Sequence, residues 1–361
     1  MVRKAGLEPA RLAALEPKSS ASTSSATFAW MCVAACKTER FYSKKGTRFR
    51  AARRFFLLIR AKAGLSSRDA PVKLRAMTPD EYCQQKALRI GSSFYYSILF
   101  LKPPRRNAMI ALQALYAELR EVAASNIDEN AARIKLAWWR TEIAALYRGD
   151  PQHLVTRALA RGLAQYGIAQ KCLDDIVDGM EMDLLQTRYL DFIALERYIA
   201  LTAGAAAECR VKICGAGSGP GPAYAQQLGQ ALALSNLLRS IGTDARRGYV
   251  YLPVNELQQF GVPVADILNA RYSENFTRLM QFQYARAHAC FESGFESALS
   301  ALPKADRQAQ RPNQAMATIA RALLEEIRAD GFRVLHQRTS LTPIRKLWLA
   351  SKTHWGMHRC R

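Results

Sequence analysis

From Thr78 onward, apolar residues recur at three- and four-residue spacing almost without interruption, and Pro, Gly, Asn, Asp and Ser mark the breaks. That period places one apolar stripe along each helix. Runs of strict alternation, the mark of half-buried strands, do not stand out. The spacing predicts helices over 79–89, 103–123, 127–148, 152–166, 169–187, 191–209, 222–245, 272–302, 310–331 and 341–354. The segment CGAGSGPGP, Cys214–Pro222, reads as a loop because Gly and Pro there cost a helix stability. An all-α domain follows, with no internal repeat in the pattern.

The first 76 residues break this picture. They are rich in Arg, Lys, Ser and Ala and lack sustained periodicity, so they read as a disordered or extraneous basic extension. The stretch Ala5–Ala29 resembles the peptide obtained when a bacterial transfer-RNA gene is translated inside an open reading frame, which makes Met77 the expected start. The expected domain then covers 77–355, and 356–361 are a tail.

Charge changes the picture only after it is located. The chain carries a formal +22, an invitation to a nucleic-acid reading. Residues 1–76 hold 17 Lys/Arg against 4 Asp/Glu, and residues 333–361 hold 7 against none. The body keeps 28 against 26 and is nearly neutral. The surplus is terminal charge, and no nucleic-acid partner is expected.

The eight cysteines show no paired CxxC spacing, so reduced thiols and a cytoplasmic location are expected. No apolar run approaches the roughly 20 residues of a spanning helix. The basic end, with Trp348 and Trp355, has the composition of a segment that lies in a membrane interface, giving peripheral contact with the inner membrane surface as the expectation beside plain solvation.

Two segments carry candidate chemistry. On the helix from Arg105, Tyr116 and Arg120 are four apart and share a face, where a phenol and a guanidinium can hold a diphosphate. In LALSNLLRSIGTDARRGYVYLP, residues 232–253, Asn236, Ser240 and Asp244 fall at i, i+4 and i+8, an oxygen-bearing stripe on an apolar helix. Arg239, Arg246 and Arg247 lie beside it, so anions and hard cations can meet there. A stripe of hydrogen-bonded core residues is the plainer reading of the same spacing.

The order of the motifs resembles the squalene/phytoene synthase family, and presqualene diphosphate synthases in particular. The resemblance rests on GSSFYYSILFLKPPRRNAMIALQALYAELREV, LAWWRTEIAALY, DGMEMDLLQTRYLDF, NLLRSIGTDARRGYVYLP and ADGFRVLHQRTSLTPIRKLWLASKTHW. It implies an isoprenoid synthase fold and a farnesyl diphosphate:farnesyl diphosphate farnesyltransferase that joins two substrates head to head into presqualene diphosphate. It also implies Mg2+ held by two aspartate-rich segments, since Mg2+ takes hard oxygen ligands in near-octahedral geometry. Ser93, Tyr116, Arg120, Asn236, Arg239 and Arg247 are then the substrate contacts; Arg239, Asp244 and Tyr251 the catalytic set; and Asp128, Asn236 and Asp244 the metal ligands. No protein partner is implied.

The chain departs from the family where the chemistry is concentrated. Where the family reads REVDDVVDE, this chain reads REVAASNIDE, Arg120–Glu129, with one extra residue. Aligned from Arg120, Ala123 and Ile127 replace the aspartates; aligned from the other side, Asp128 survives and Ala124 replaces the first. In the second segment Ala233, Ser240 and Thr243 stand for Gln, Asp and Glu. Gly204 is kept, but the run LTAGAAAECRVKI is small and charged where the family is apolar. Groups that act as a unit fail together, so impaired Mg2+-dependent ionisation, or a catalytically dead binding protein, is the alternative expectation.

Overall fold

The computed structural model describes residues 77–124, 128–216 and 219–356. The expectations for residues 1–76, for Ile127 and for most of the 356–361 tail lie outside them.

Every predicted helix is present. In chain order they are α1 (Pro79–Ala87), α2 (Ser93–Ser97), α3 (Pro103–Ala124), α4 (Glu129–Arg148), α5 (Leu154–Tyr166), α6 (Gln170–Leu185), α7 (Phe192–Ile199) and α8 (Ala205–Cys214), followed by α9 (Gly221–Ala245), α10 (Val254–Gln259), α11 (Val264–Leu268), α12 (Glu274–Ala289), α13 (Glu296–Ala301), α14 (Lys304–Ala309), α15 (Arg311–Ala329) and α16 (Pro343–His354). The helices that periodicity does not predict, α2, α10, α11 and α14, are five or six residues long and too short to show a period. Two predicted helices contain a π-helical turn, Ala200–Gly204 between α7 and α8 and Cys290–Phe295 between α12 and α13. Among the described residues the extended backbone amounts to an isolated parallel bridge between Arg188 and Val250.

Helix ends follow local chemistry. Thr78 caps α1 in a capping box with Glu81, and Asp128 caps α4, accepting from the amides of Asn130 and Ala131. Prolines open α3, α15 and α16 at positions where the missing N–H has no helical partner to lose.

Two apolar clusters form the core. One, including Leu115, Leu119, Ile143, Leu173 and Ile176, is built largely from α3–α6; the other, including Leu228, Leu279 and Leu324, from α9, α12 and α15. Helix α8 serves both, giving Ala206, Cys209 and Ile213 to the first and Ala207 and Val211 to the second. Glycines set the closest approaches. A Cβ on Gly229 would lie 2.7 Å from the Gly204 Cα, so the retained Gly204 sits where α9 crosses the π turn. A Cβ on Gly242 would lie 2.0 Å from the Leu335 carbonyl oxygen, so the 330–342 segment rests directly on the α9 backbone.

Candidate functional site

The polar stripe of α9 is real. Asp244 and Ser240 are buried, and the Ser240 hydroxyl donates to an Asp244 carboxylate oxygen at 2.6 Å, the contact that i, i+4 spacing predicts. Burial raises the Asp244 pKa, opposed by this hydrogen bond and by Arg120, Arg247 and Arg338. These cations come from three parts of the chain: Arg120 from the end of α3, Arg247 from just after α9, and Arg338 from the segment lying on Gly242. Gly242 is thus what lets Arg338 approach.

Arg239, one turn before Gly242, completes a basic group. Burial lowers its pKa to about 10, with Arg338 and Arg120 adding repulsion. Its Nη2 donates to Asn236 Oδ1, while its buried Nε has no partner. Lys346 of α16 is buried and donates to the Gly91 carbonyl at 2.9 Å; burial and the neighbouring Arg239 and Arg338 lower its pKa. Among the described residues Arg120, Arg239, Arg247, Arg338 and Lys346 form no ion pair with a carboxylate. Arg120, Arg247 and Arg338 are exposed, Arg239 is half-buried and Lys346 is buried; cations in excess of acids suit an anionic ligand, above all a diphosphate.

Beside this group is a carboxylate enclosed by tyrosines. Asp183, near the end of α6, is 9% exposed; its side chain accepts from Tyr251 at 2.8 Å and Tyr198 at 3.2 Å, and its backbone carbonyl accepts from Tyr249 at 3.1 Å. Burial pushes its pKa up to about 6, against the two phenol hydrogen bonds and Arg120. Burial, with Asp183 nearby, also pushes the Tyr251 and Tyr198 phenols upward. The rings of Tyr198 and Tyr251 stack at 5.5 Å, with Tyr189 and Tyr249 extending the stack. Burial lowers the Arg120 pKa, but Tyr116, Tyr198, Asp244 and Tyr251 outweigh it and the net shift is upward, so Arg120 links the two halves of the site.

The structure therefore brings together Tyr116, Arg120, Asn236, Arg239, Asp244, Arg247 and Tyr251. Ser93 opens α2 two residues after Gly91, the residue that Lys346 holds. Asp128 is engaged elsewhere, its carboxylate on the first amides of α4. Sequence pattern does not single out Asp183, Arg338 or Lys346, although each lies inside a stretch that carries the family resemblance. Tyr198 lies between two such stretches, and only its placement reveals it.

These donors do not fit a Mg2+ centre. Among the described residues no three His, Cys, Asp or Glu side chains converge. Asp244 is bonded to Ser240 and faces three guanidiniums, Asn236 is taken by Arg239, and Asp128 caps a helix. An octahedral set of oxygens is not there.

An apolar cavity opens next to Asp244 and Tyr251, walled by leucines of α7 and α9 and by Leu252, with a volume of about 20 Å³. That is room for about one water, so a prenyl chain requires the walls to part. The altered run before the loop is accommodated by packing. Ala205, Ala206 and Ala207 are buried, Glu208 pairs with Lys212 at 2.8 Å, and Arg210 is buried against Gln113. No helix among the described residues is long and apolar enough to cross a membrane.

Comparison with known proteins identifies the fold and the family. In fold, the chain is similar to a dehydrosqualene synthase solved with a ligand (TM-score 0.67, 20% identity, covering 77% of this chain and 96% of that one). It is similar also to the squalene synthase HpnC of Alicyclobacillus acidocaldarius (TM-score 0.62, 21% identity, 70% and 94%). In sequence it is 30% identical to the 15-cis-phytoene synthase of Synechococcus elongatus over 74% of this chain and 89% of that protein. It is 27% identical to phytoene synthase 3 of Zea mays over 75% of this chain, where it spans only 64% of the relative's length. The model of the Squalene/phytoene synthase family matches residues 88–345, nearly the whole helical unit, and the chain belongs to that family.

Proposed function

We propose that this protein binds prenyl diphosphates, farnesyl diphosphate first among them, and that head-to-head condensation to presqualene diphosphate, the reaction its motifs resemble, is severely slowed in it. The observation that carries this reading is the excess of guanidiniums, Arg120, Arg239, Arg247 and Arg338, over the neighbouring carboxylates Asp244 and Asp183. Guanidiniums bind diphosphate oxygens through charge-assisted, bidentate hydrogen bonds. They retain the ligand, but leaving-group departure also needs charge stabilisation that grows in the transition state, which Mg2+ supplies where its ligands exist. Tyr249 and Tyr251 line the cavity, and their aromatic rings suit a cationic prenyl carbon. Trp348 and Trp355 are 57% and 62% exposed among the basic residues of α16, which supports contact with a membrane surface.

The test is one titration and one assay. Farnesyl diphosphate should bind with similar affinity in chelator and in Mg2+, while presqualene diphosphate and released diphosphate stay far below the roughly 10 per second typical of enzymes. Mg2+-dependent turnover at that ordinary rate would overturn the proposal.

A further inference from the structure

Helix α3 carries Arg120 near its C-terminal end, and seventeen residues earlier, roughly 25 Å along the axis, its first turn borders a second and larger cavity. This cavity has a volume of about 460 Å³, within the range of small-molecule sites. It is lined by Lys102 and Arg105 at the start of α3, Arg311 at the start of α15 and His354 at the end of α16, and by no Asp or Glu. Among the described residues Lys102, Arg105 and Arg311 form no ion pair. Two long helices thus direct their positive N-terminal ends at one hollow, where three cations already converge. The imidazole of His354 stacks on Phe100 at 4.5 Å, giving a flat aromatic wall. Burial, reinforced by Arg311, lowers the His354 pKa, which is a further sign of unneutralised positive charge.

We infer that the cavity between the starts of α3 and α15 and the end of α16 is a second anion site, separate from the Asp244 group, that binds a small molecule carrying a phosphate or diphosphate. Lys102, Arg105 and Arg311 take the phosphoryl oxygens. The Phe100–His354 pair borders the uncharged part of the ligand.

Inorganic pyrophosphate, titrated calorimetrically into the full chain in metal-free buffer, should show two classes of site. The double charge reversal Arg105→Glu with Arg311→Glu should abolish one class, lowering its affinity at least tenfold, and leave the other unchanged; Arg120→Ala should do the converse. In the wild type, the His354 ring resonances, assigned with His354→Asn, should shift on pyrophosphate addition. The milder Lys102→Gln, which faces solvent, should weaken the same class if the double variant fails to fold. Vesicles containing phosphatidic acid separate the two sources of the phosphate. Sedimentation with the vesicles that the charge reversal abolishes identifies a lipid headgroup, and pyrophosphate binding without sedimentation identifies a soluble metabolite. Unchanged pyrophosphate binding in folded Arg105→Glu/Arg311→Glu, with no His354 shift in the wild type, would overturn the inference.

Discussion

The two segments that resemble the family's aspartate-rich motifs use their carboxylates differently. At the α3–α4 corner, Asp128 is an exposed helix cap, and Ala123 and Ala124 continue α3 to its end. Along α9, Ser240 and Asp244 are buried, and Asp244 faces more guanidiniums than acids. A surface carboxylate can be reassigned at little cost, because water and a helix end satisfy it equally well. A buried one is held in place by everything packed around it. The corner should therefore tolerate change, and α9 should not.

Four measurements can break or sharpen that contrast. The largest effect is expected for Gly242→Ala, whose new methyl would collide with the Leu335 backbone. It should cost about 3 kcal/mol or more by denaturant unfolding, since backbone cannot yield as a side chain tip does. A cost under about 1 kcal/mol would show that the 330–342 segment is not seated as described.

Asp183 should make stability fall with rising pH. Its folded pKa, about 6, lies above the ordinary 3.8, so the folded chain binds the proton more tightly. Its contribution is complete below about pH 4 and is lost as the pH rises through about 6, an effect of roughly 3 kcal/mol at most. Asp183→Asn should remove that slope; an unchanged slope would assign it to other groups.

Asp244→Asn discriminates by sign. Removing a negative charge from a cation group should tighten pyrophosphate binding about tenfold in metal-free buffer. Weaker binding, together with loss of any response to Mg2+, would make Asp244 a metal ligand instead. The smallest effect is expected at the corner, where Asp128→Ala should cost about 1 kcal/mol of stability and leave farnesyl diphosphate binding unaltered in Mg2+ or chelator. A Mg2+-specific loss of binding there would restore Asp128 to a metal role.

The long helices were legible because each repeats its apolar face several times, and the pairing of Ser240 with Asp244 followed from their spacing alone. The π turns were not, because one residue of slippage inside an apolar run leaves the three-and-four pattern nearly intact. The site was legible where its residues share a helix. Arg338, Lys346 and Asp183 reach it from elements far apart in sequence, and no local period connects them to Asp244. Tyr198 sits in an ordinary apolar helix, and only its hydrogen bond to Asp183 separates it from a core tyrosine.

The seat of the 330–342 segment on α9 has a kinetic consequence. The Leu335 carbonyl lies against the Gly242 backbone and accepts from Arg246 at 3.3 Å, and its amide donates to the Tyr272 hydroxyl at 3.0 Å. A stretch without helical hydrogen bonds of its own would ordinarily exchange its amide protons quickly. Here the Leu335 amide should exchange slowly, opening only when α9 itself opens, so that Arg338 is placed by a rigid mount rather than by a wandering loop.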